Sequence, residues 1–181
     1  LTLLWEEDDT EPVDVDEGWL RYELSGFFVS GGRTYTPFGE FETFFISDPL
    51  TLELAETCES ALVAGCEKGA FSFTLAVFNG ELYRTGTASE RLRGCAFAFD
   101  FAPSEAFSVR LSYQSNIAES DGLLAGALTS APQYVRRVGG WHVSARLTLG
   151  GFGLIAEAVA AERRFSPADL DEDGDGVGDA C

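Results

Sequence analysis

The last thirteen residues, "DLDEDGDGVGDAC", carry six acidic side chains interleaved with glycine. Asp171, Asp173 and Asp175 put carboxylates at alternate positions, and Gly176 permits a sharp turn. The Val177 carbonyl and Asp179 can complete an oxygen shell. A hard cation is bound by such a flexible, oxygen-rich and highly charged wrap, so residues 171–179 form a candidate calcium loop. A frame starting at Asp169 puts Val177 at a side-chain ligand position, where it has nothing to offer. The plainer alternative is a solvated acidic loop.

A second set of residues is dispersed along the chain. Arg21, Glu23, Asp100, Arg110, Gln114, His142, Arg146 and Glu157 fall on the polar parity of alternating segments. Fixed charges on the wall of a pore select which ions and polar solutes pass. The same groups could instead pair with one another and brace the wall. His142 is the one histidine of the chain. With Asp100 and a serine it could make a hydrolytic triad, but no nucleophile elbow supports that, and a wall-facing histidine is the simpler reading. "GGFG" lacks the lysine and following helix of a phosphate loop.

The elements that must position these groups follow a period of two. In "FSFTLAVF", Phe71, Phe73, Leu75 and Val77 share a face. Phe97, Phe99 and Phe101 repeat the pattern, as do Val109, Leu111 and Tyr113, and then Trp141, Val143 and Leu147. Nine strands are predicted, at about 1–5, 18–25, 27–35, 59–67, 70–79, 92–101, 106–116, 139–149 and 152–162.

Tight turns fall at Ser25-Gly26, Lys68-Gly69, Ala102–Glu105 and Gly150-Gly151. Between them lie long links, at 6–17, 36–58, 80–91 and 117–138, with a tail from 163. Strict alternation of short and long connections is the arrangement of an antiparallel up-and-down transmembrane β-barrel. A soluble sandwich also has alternating strands, but gives no reason for the connections to alternate. Phe73, Phe99, Val109 and Val143 are therefore expected to point outward, away from a lumen. Trp19, Tyr22, Tyr113, Trp141 and Phe152 lie near strand ends, as interfacial girdle residues would. The link 36–58 is long enough to fold into the mouth and narrow it, with a short helix after Pro49.

Composition sets limits. The formal charge of −18 makes nucleic acid an unsuitable partner, since phosphate binding needs a basic surface. Taken as 6–17, 36–59, 80–91, 115–138 and 166–181, the long links and tail hold 24 of the 30 acidic residues, which leaves the strands nearly neutral. No apolar run reaches the roughly 18 residues of a membrane-crossing helix. The chain lacks Met and opens on the strand-like "LTLLW", so an internal fragment or trimmed mature chain is expected. Its cysteines show no zinc spacing, and Cys66 and Cys95 read as small apolar strand residues.

The segments "WEEDDTEPVDVDEGWL", "GRTYTPFGEFETFFISDPLTLELAET", "SYQSNIAESDGLL" and "FGLIAEAVAA" resemble LbtU-type outer-membrane porins, a family tied to siderophore uptake. The resemblance runs from residue 1 to about residue 165. It implies a β-barrel in the outer membrane of a Gram-negative bacterium, with the long loops extracellular. The partners it implies are outer-membrane lipid and small polar solutes or a ferric siderophore. Nine strands are an odd number for such a barrel, which the fragment reading explains. "DEDGDGVGDAC" resembles a thrombospondin type 3 repeat.

Two units are thus expected: residues 1–165 as a partial barrel and 166–181 as an acidic calcium loop. The function expected is that of a porin working by lining and gating a path, without covalent chemistry. The rival is a secreted or surface calcium-binding β-sandwich or adhesin module. In the rival, the aromatic face would pack between two sheets.

Overall fold

A computed structural model describes residues 2–5, 13–41, 49–80, 82–84, 93–126 and 133–166. The candidate ligands Asp171, Asp173, Asp175, Val177 and Asp179, and with them nearly all of the unit at 166–181, lie outside the described residues.

The chain is all-β. Its strands are β1 (Thr2–Trp5), β2 (Val13–Leu24), β3 (Phe27–Tyr35), β4 (Cys58–Lys68), β5 (Phe71–Phe78), β6 (Tyr83–Arg84), β7 (Gly94–Ser104), β8 (Phe107–Gln114), β9 (Gln133–Tyr134), β10 (Gly140–Leu149) and β11 (Phe152–Ala161). Nine of them form one antiparallel sheet in sequence order, β1-β2-β3-β4-β5-β7-β8-β10-β11, and β6 and β9 make a short parallel pair between two long links. The large sheet is open: among the described residues, β1 and β11 are not paired with each other. Sequential antiparallel pairing puts every tight turn at one end and every long link at the other. At Ser25-Gly26 both residues have positive φ (53° and 79°), the type I′ geometry that matches strand twist.

All nine predicted strands are present, with two boundary corrections. β2 begins at Val13, within the stretch expected to be a link, because its first residues pair with β1. β7 runs on to Ser104 through a register shift after Phe101, moving the turn to Glu105-Ala106.

The two faces of the sheet differ sharply. On β4, β5, β7, β8, β10 and β11 the outward positions run from Leu62 through Phe73, Phe99, Leu111 and Val143 to Ala160, and the one ion among them, Lys68, sits at a turn. Phe73, Phe99 and Val143 are 42%, 41% and 44% exposed, with Val109 half-buried on the same face, so these four are not packed against a second sheet. Cys66 and Cys95 take outward positions too. Neighbouring rings touch along this face, as in Phe71–Phe101 (4.9 Å) and Tyr113–Trp141 (4.8 Å between centroids).

The core lies on the opposite, polar-parity face, toward the long-link end. Phe28, Val63, Ala76, Phe78 and Ala96 of the strands pack there against Phe38, Ala55, Ile117 and Val138 of the links. Small side chains on this face make room for the links. At Gly65 a Cβ would overlap the Phe28 ring, so the position must stay bare. The helix expected after Pro49 is present as α1 (Leu50–Ala55), and it packs on a second helix, α2 (Asp121–Gly126), that periodicity did not reveal.

Candidate functional site

Register places all eight candidate wall residues on the inner face. Asp100, Arg110, Ser144 and Glu157 form one row across β7, β8, β10 and β11, and Ala98, Ser112, His142 and Val159 form the next. Gln114 stands one row higher, opposite Gly140. Arg21 and Glu23 lie on β2 opposite Ser30 and Phe28. Arg146 sits apart, exposed near the short-turn end opposite Ser108 and Ile155.

Arg110, Gln114 and Glu157 of this set hold the start of the link between β3 and β4. "TPFGEF" (36–41) folds inward across β8, β10 and β11, so that Phe38 is buried against the wall. The Gly39 amide donates to Ser112 Oγ (3.1 Å), and the Gly39 carbonyl accepts from Arg110 Nη1 (2.8 Å). Glu157 Oε1 accepts from the Phe41 amide (3.2 Å) and from His142 Nε2 (2.6 Å), while its Oε2 accepts from Thr51 Oγ1 (2.7 Å). With Nε2 as donor, His142 Nδ1 accepts from Ser112 Oγ at 3.2 Å. Ser144 Oγ donates to Glu40 Oε2, 3.1 Å away. Gln114 ties both ends of the link together, accepting from Thr36 Oγ1 (2.9 Å) and donating to Thr57 Oγ1 (3.0 Å).

The rings of Phe38 and Phe41 meet His142 edge-on, at 6.1 and 5.6 Å. Gly39 has φ +92°, and a Cβ there would overlap the Phe41 ring. The bend of this segment therefore requires glycine.

Ser112, His142 and Glu157 stand in the order of a hydrolytic triad, without Asp100, which pairs instead with Arg110 at 2.5 Å. Ser112 is fully buried, leaving its Oγ no face open to a substrate. Buried polar groups must be satisfied, and here Ser112 and Glu157 hold the inward segment while His142 joins the two.

Among the described residues, clefts flank the segment. One of about 280 Å³ lies between Phe38, Gly39, Phe41, Thr57 and Arg110. Another, about 380 Å³, is lined by Trp19, Arg21, Phe28, Glu67, Asp100 and Arg110 among others. Arg21 stacks over the Phe28 ring at 3.7 Å and reaches Glu23 (3.1 Å) and Glu67 (3.4 Å). Trp19 shares this inner face, because its parity is that of Arg21; it is not part of an outer girdle. Tyr22, Tyr113, Trp141 and Phe152 do have outward positions.

Ser112, Glu67, Thr36 and Thr57 were not among the residues singled out from sequence. Polar parity alone marks Ser112 and Glu67. The role of the two threonines depends on where the link folds, which periodicity does not encode. Among the described residues no group of three or more His, Cys, Asp and Glu side chains is placed to hold a metal ion.

Fold and site together define a class: one open antiparallel sheet with a polar, link-covered face and a bare apolar face. The chain is similar to UPF0422 proteins of Legionella pneumophila strain Paris (28% identity over 171 residues) and of Coxiella burnetii (26% over 150 residues). These alignments cover 86% and 80% of this chain, and the chain spans 32% of the length of each relative. No protein-family model matches it, and no solved structure gives a significant match.

Proposed function

We propose that this chain is part of an outer-membrane β-barrel porin that passes small polar solutes, with ferric siderophores as candidate cargo. The observation that carries the reading is the apolar face left exposed across six neighbouring strands, whose one ion, Lys68, sits at a turn. In water such a face would need a partner of large area. In a bilayer it meets lipid, while the polar face lines a wet interior.

The dimensions agree. From Trp141 to Leu149 the outward side chains span about 27 Å along the strand. At the usual tilt this is about 20 Å along the normal, close to the roughly 25 Å belt of outer-membrane barrels. Sheets that cross membranes must close, and the relatives are about three times longer than their matched portions, which gives room for the remaining strands.

The inner face then works by position and charge. The segment 36–41 narrows the path, and the Arg21–Glu67 and Arg110–Asp100 pairs set the polarity of the cleft beside it. The long links face outside the cell, and the tail beyond them holds the proposed calcium loop. Reconstituting the full-length protein into planar bilayers tests the reading. Discrete conductance steps are expected. A full-length protein that stays in solution and is not retained by bilayers would overturn it.

A further inference from the structure

A basic cluster breaks the acidity of the long-link end. Arg136 and Arg137 follow β9, and Arg163 and Arg164 follow β11. Arg136 Nη2 donates to the Arg164 carbonyl at 2.7 Å, which brings the two dipeptides together. Four of the 12 basic residues of the chain thus meet at one place. All four are exposed at least in part. Arg137 Nε donates to Tyr134 Oη (3.1 Å), and Arg163 has Glu162 at 3.8 Å as a loose, solvent-exposed partner. Among the described residues, Glu162 is the one carboxylate within 4 Å of these four guanidinium groups.

Location gives this charge a meaning. The Glu162 amide donates to the Gly139 carbonyl, which extends the β10–β11 ladder one step past the outward row of Tyr113, Trp141 and Ala160. Gly139 lies between the Tyr113 hydroxyl and the Glu162 carboxylate. The cluster therefore begins where the apolar face ends, beside its aromatic rim. A guanidinium at the edge of a lipid-facing surface meets headgroups, and its fork matches phosphate oxygens.

We infer that Arg136, Arg137, Arg163 and Arg164 form a docking site for the phosphate-bearing headgroup of a lipid in the leaflet at the long-link end. The inference rests on the membrane reading above. The lipid's acyl chains lie along the outward row while its phosphates meet the four arginines. This would give an acidic protein a fixed foothold among anionic headgroups that otherwise repel its loops.

The test uses the full-length protein reconstituted in nanodiscs, with bound lipid counted by native mass spectrometry. The probes are a bisphosphorylated glucosamine-disaccharide lipid, phosphatidylglycerol and phosphatidylcholine. The phosphorylated disaccharide lipid should be retained and phosphatidylcholine should not. R136Q/R137Q/R163Q/R164Q should lose at least about tenfold of that retention, given the contribution of each basic residue near an anionic surface. Arg→Lys at the same four positions should keep part of it.

Equal retention by the Gln variant, or of phosphatidylcholine by the parent, would overturn the inference. So would displacement by millimolar inorganic phosphate, which would mark a free-anion site. Protease protection of the strands reports insertion separately. Protein that does not insert sinks the membrane reading as well, whereas inserted protein with unchanged lipid retention sinks the docking site alone.

Discussion

His142 Nε2 lies 2.6 Å from Glu157 Oε1, on adjacent strands and one row apart, with the imidazole fully buried and the carboxylate nearly so. The same oxygen accepts the Phe41 amide, so one carboxylate joins the wall to the segment that crosses it. Glu157→Gln keeps the shape but replaces one acceptor oxygen with a donor, leaving the His142, Phe41 and Thr51 donors to share the other. A loss of about 1–3 kcal/mol is expected in the stability of the segment. Protease cleavage around residues 37–41 of the full-length protein should speed up accordingly, and unchanged cleavage would count against the fastening role.

Gly39→Val combines an unfavourable φ with overlap on Phe41. The backbone strain alone costs about 1–3 kcal/mol, and the overlap adds to it. The segment should leave its seat, and single-channel conductance should rise. If it does not, residues 36–41 are not the constriction.

Val143→Arg puts a charge in the middle of the outward face. In a bilayer this costs about 2–4 kcal/mol near the midplane. Ser108→Arg, on the inner face of neighbouring β8, should cost far less. Equal tolerance in urea unfolding from vesicles would contradict the assignment of the two faces.

Arg110 and Arg146 separate bracing from selectivity. Arg110 holds both Asp100 and the Gly39 carbonyl, so Arg110→Lys keeps the charge but loses the two-armed grip. Its expected effect is a looser segment without a change in ion preference. Arg146→Glu, near the short-turn end, should shift reversal potentials toward cations. A preference change in the first variant and not the second would reverse these roles.

The acidic loop is expected to bind calcium weakly, at roughly 10⁻⁴–10⁻³ M. Calorimetric titration of the full-length protein should show this, and D173N/D175N should abolish it. Heat that survives the double substitution would move the binding elsewhere.

Much of the sheet was legible because strand and turn chemistry are local. Tyr113, Val143 and the rest took their faces from parity alone. The Gly150-Gly151 turn even sets the His142–Glu157 diagonal, since pairing Leu149 with Phe152 puts His142 opposite Val159. The start of β2 is hidden in the sequence because Asp14 and Asp16 give its first residues the look of an acidic link, although they pair with neighbouring β1. At Trp19 parity outranks aromatic type, since it shares the inner face with Arg21. The seat of residues 36–41 was illegible for a deeper reason: Gly39 meets Arg110 and Ser112, and Phe41 meets Glu157, at separations of 71 to 116 residues.

Those separations also set an order of events. Residues 36–41 leave the ribosome before any of β8, β10 or β11 exists, and their hydrogen-bonding partners appear only when those strands have joined the sheet. Closing so long a loop is entropically costly until the wall is built. Residues 36–41 are therefore seated last, a segment that waits for its lock to be made.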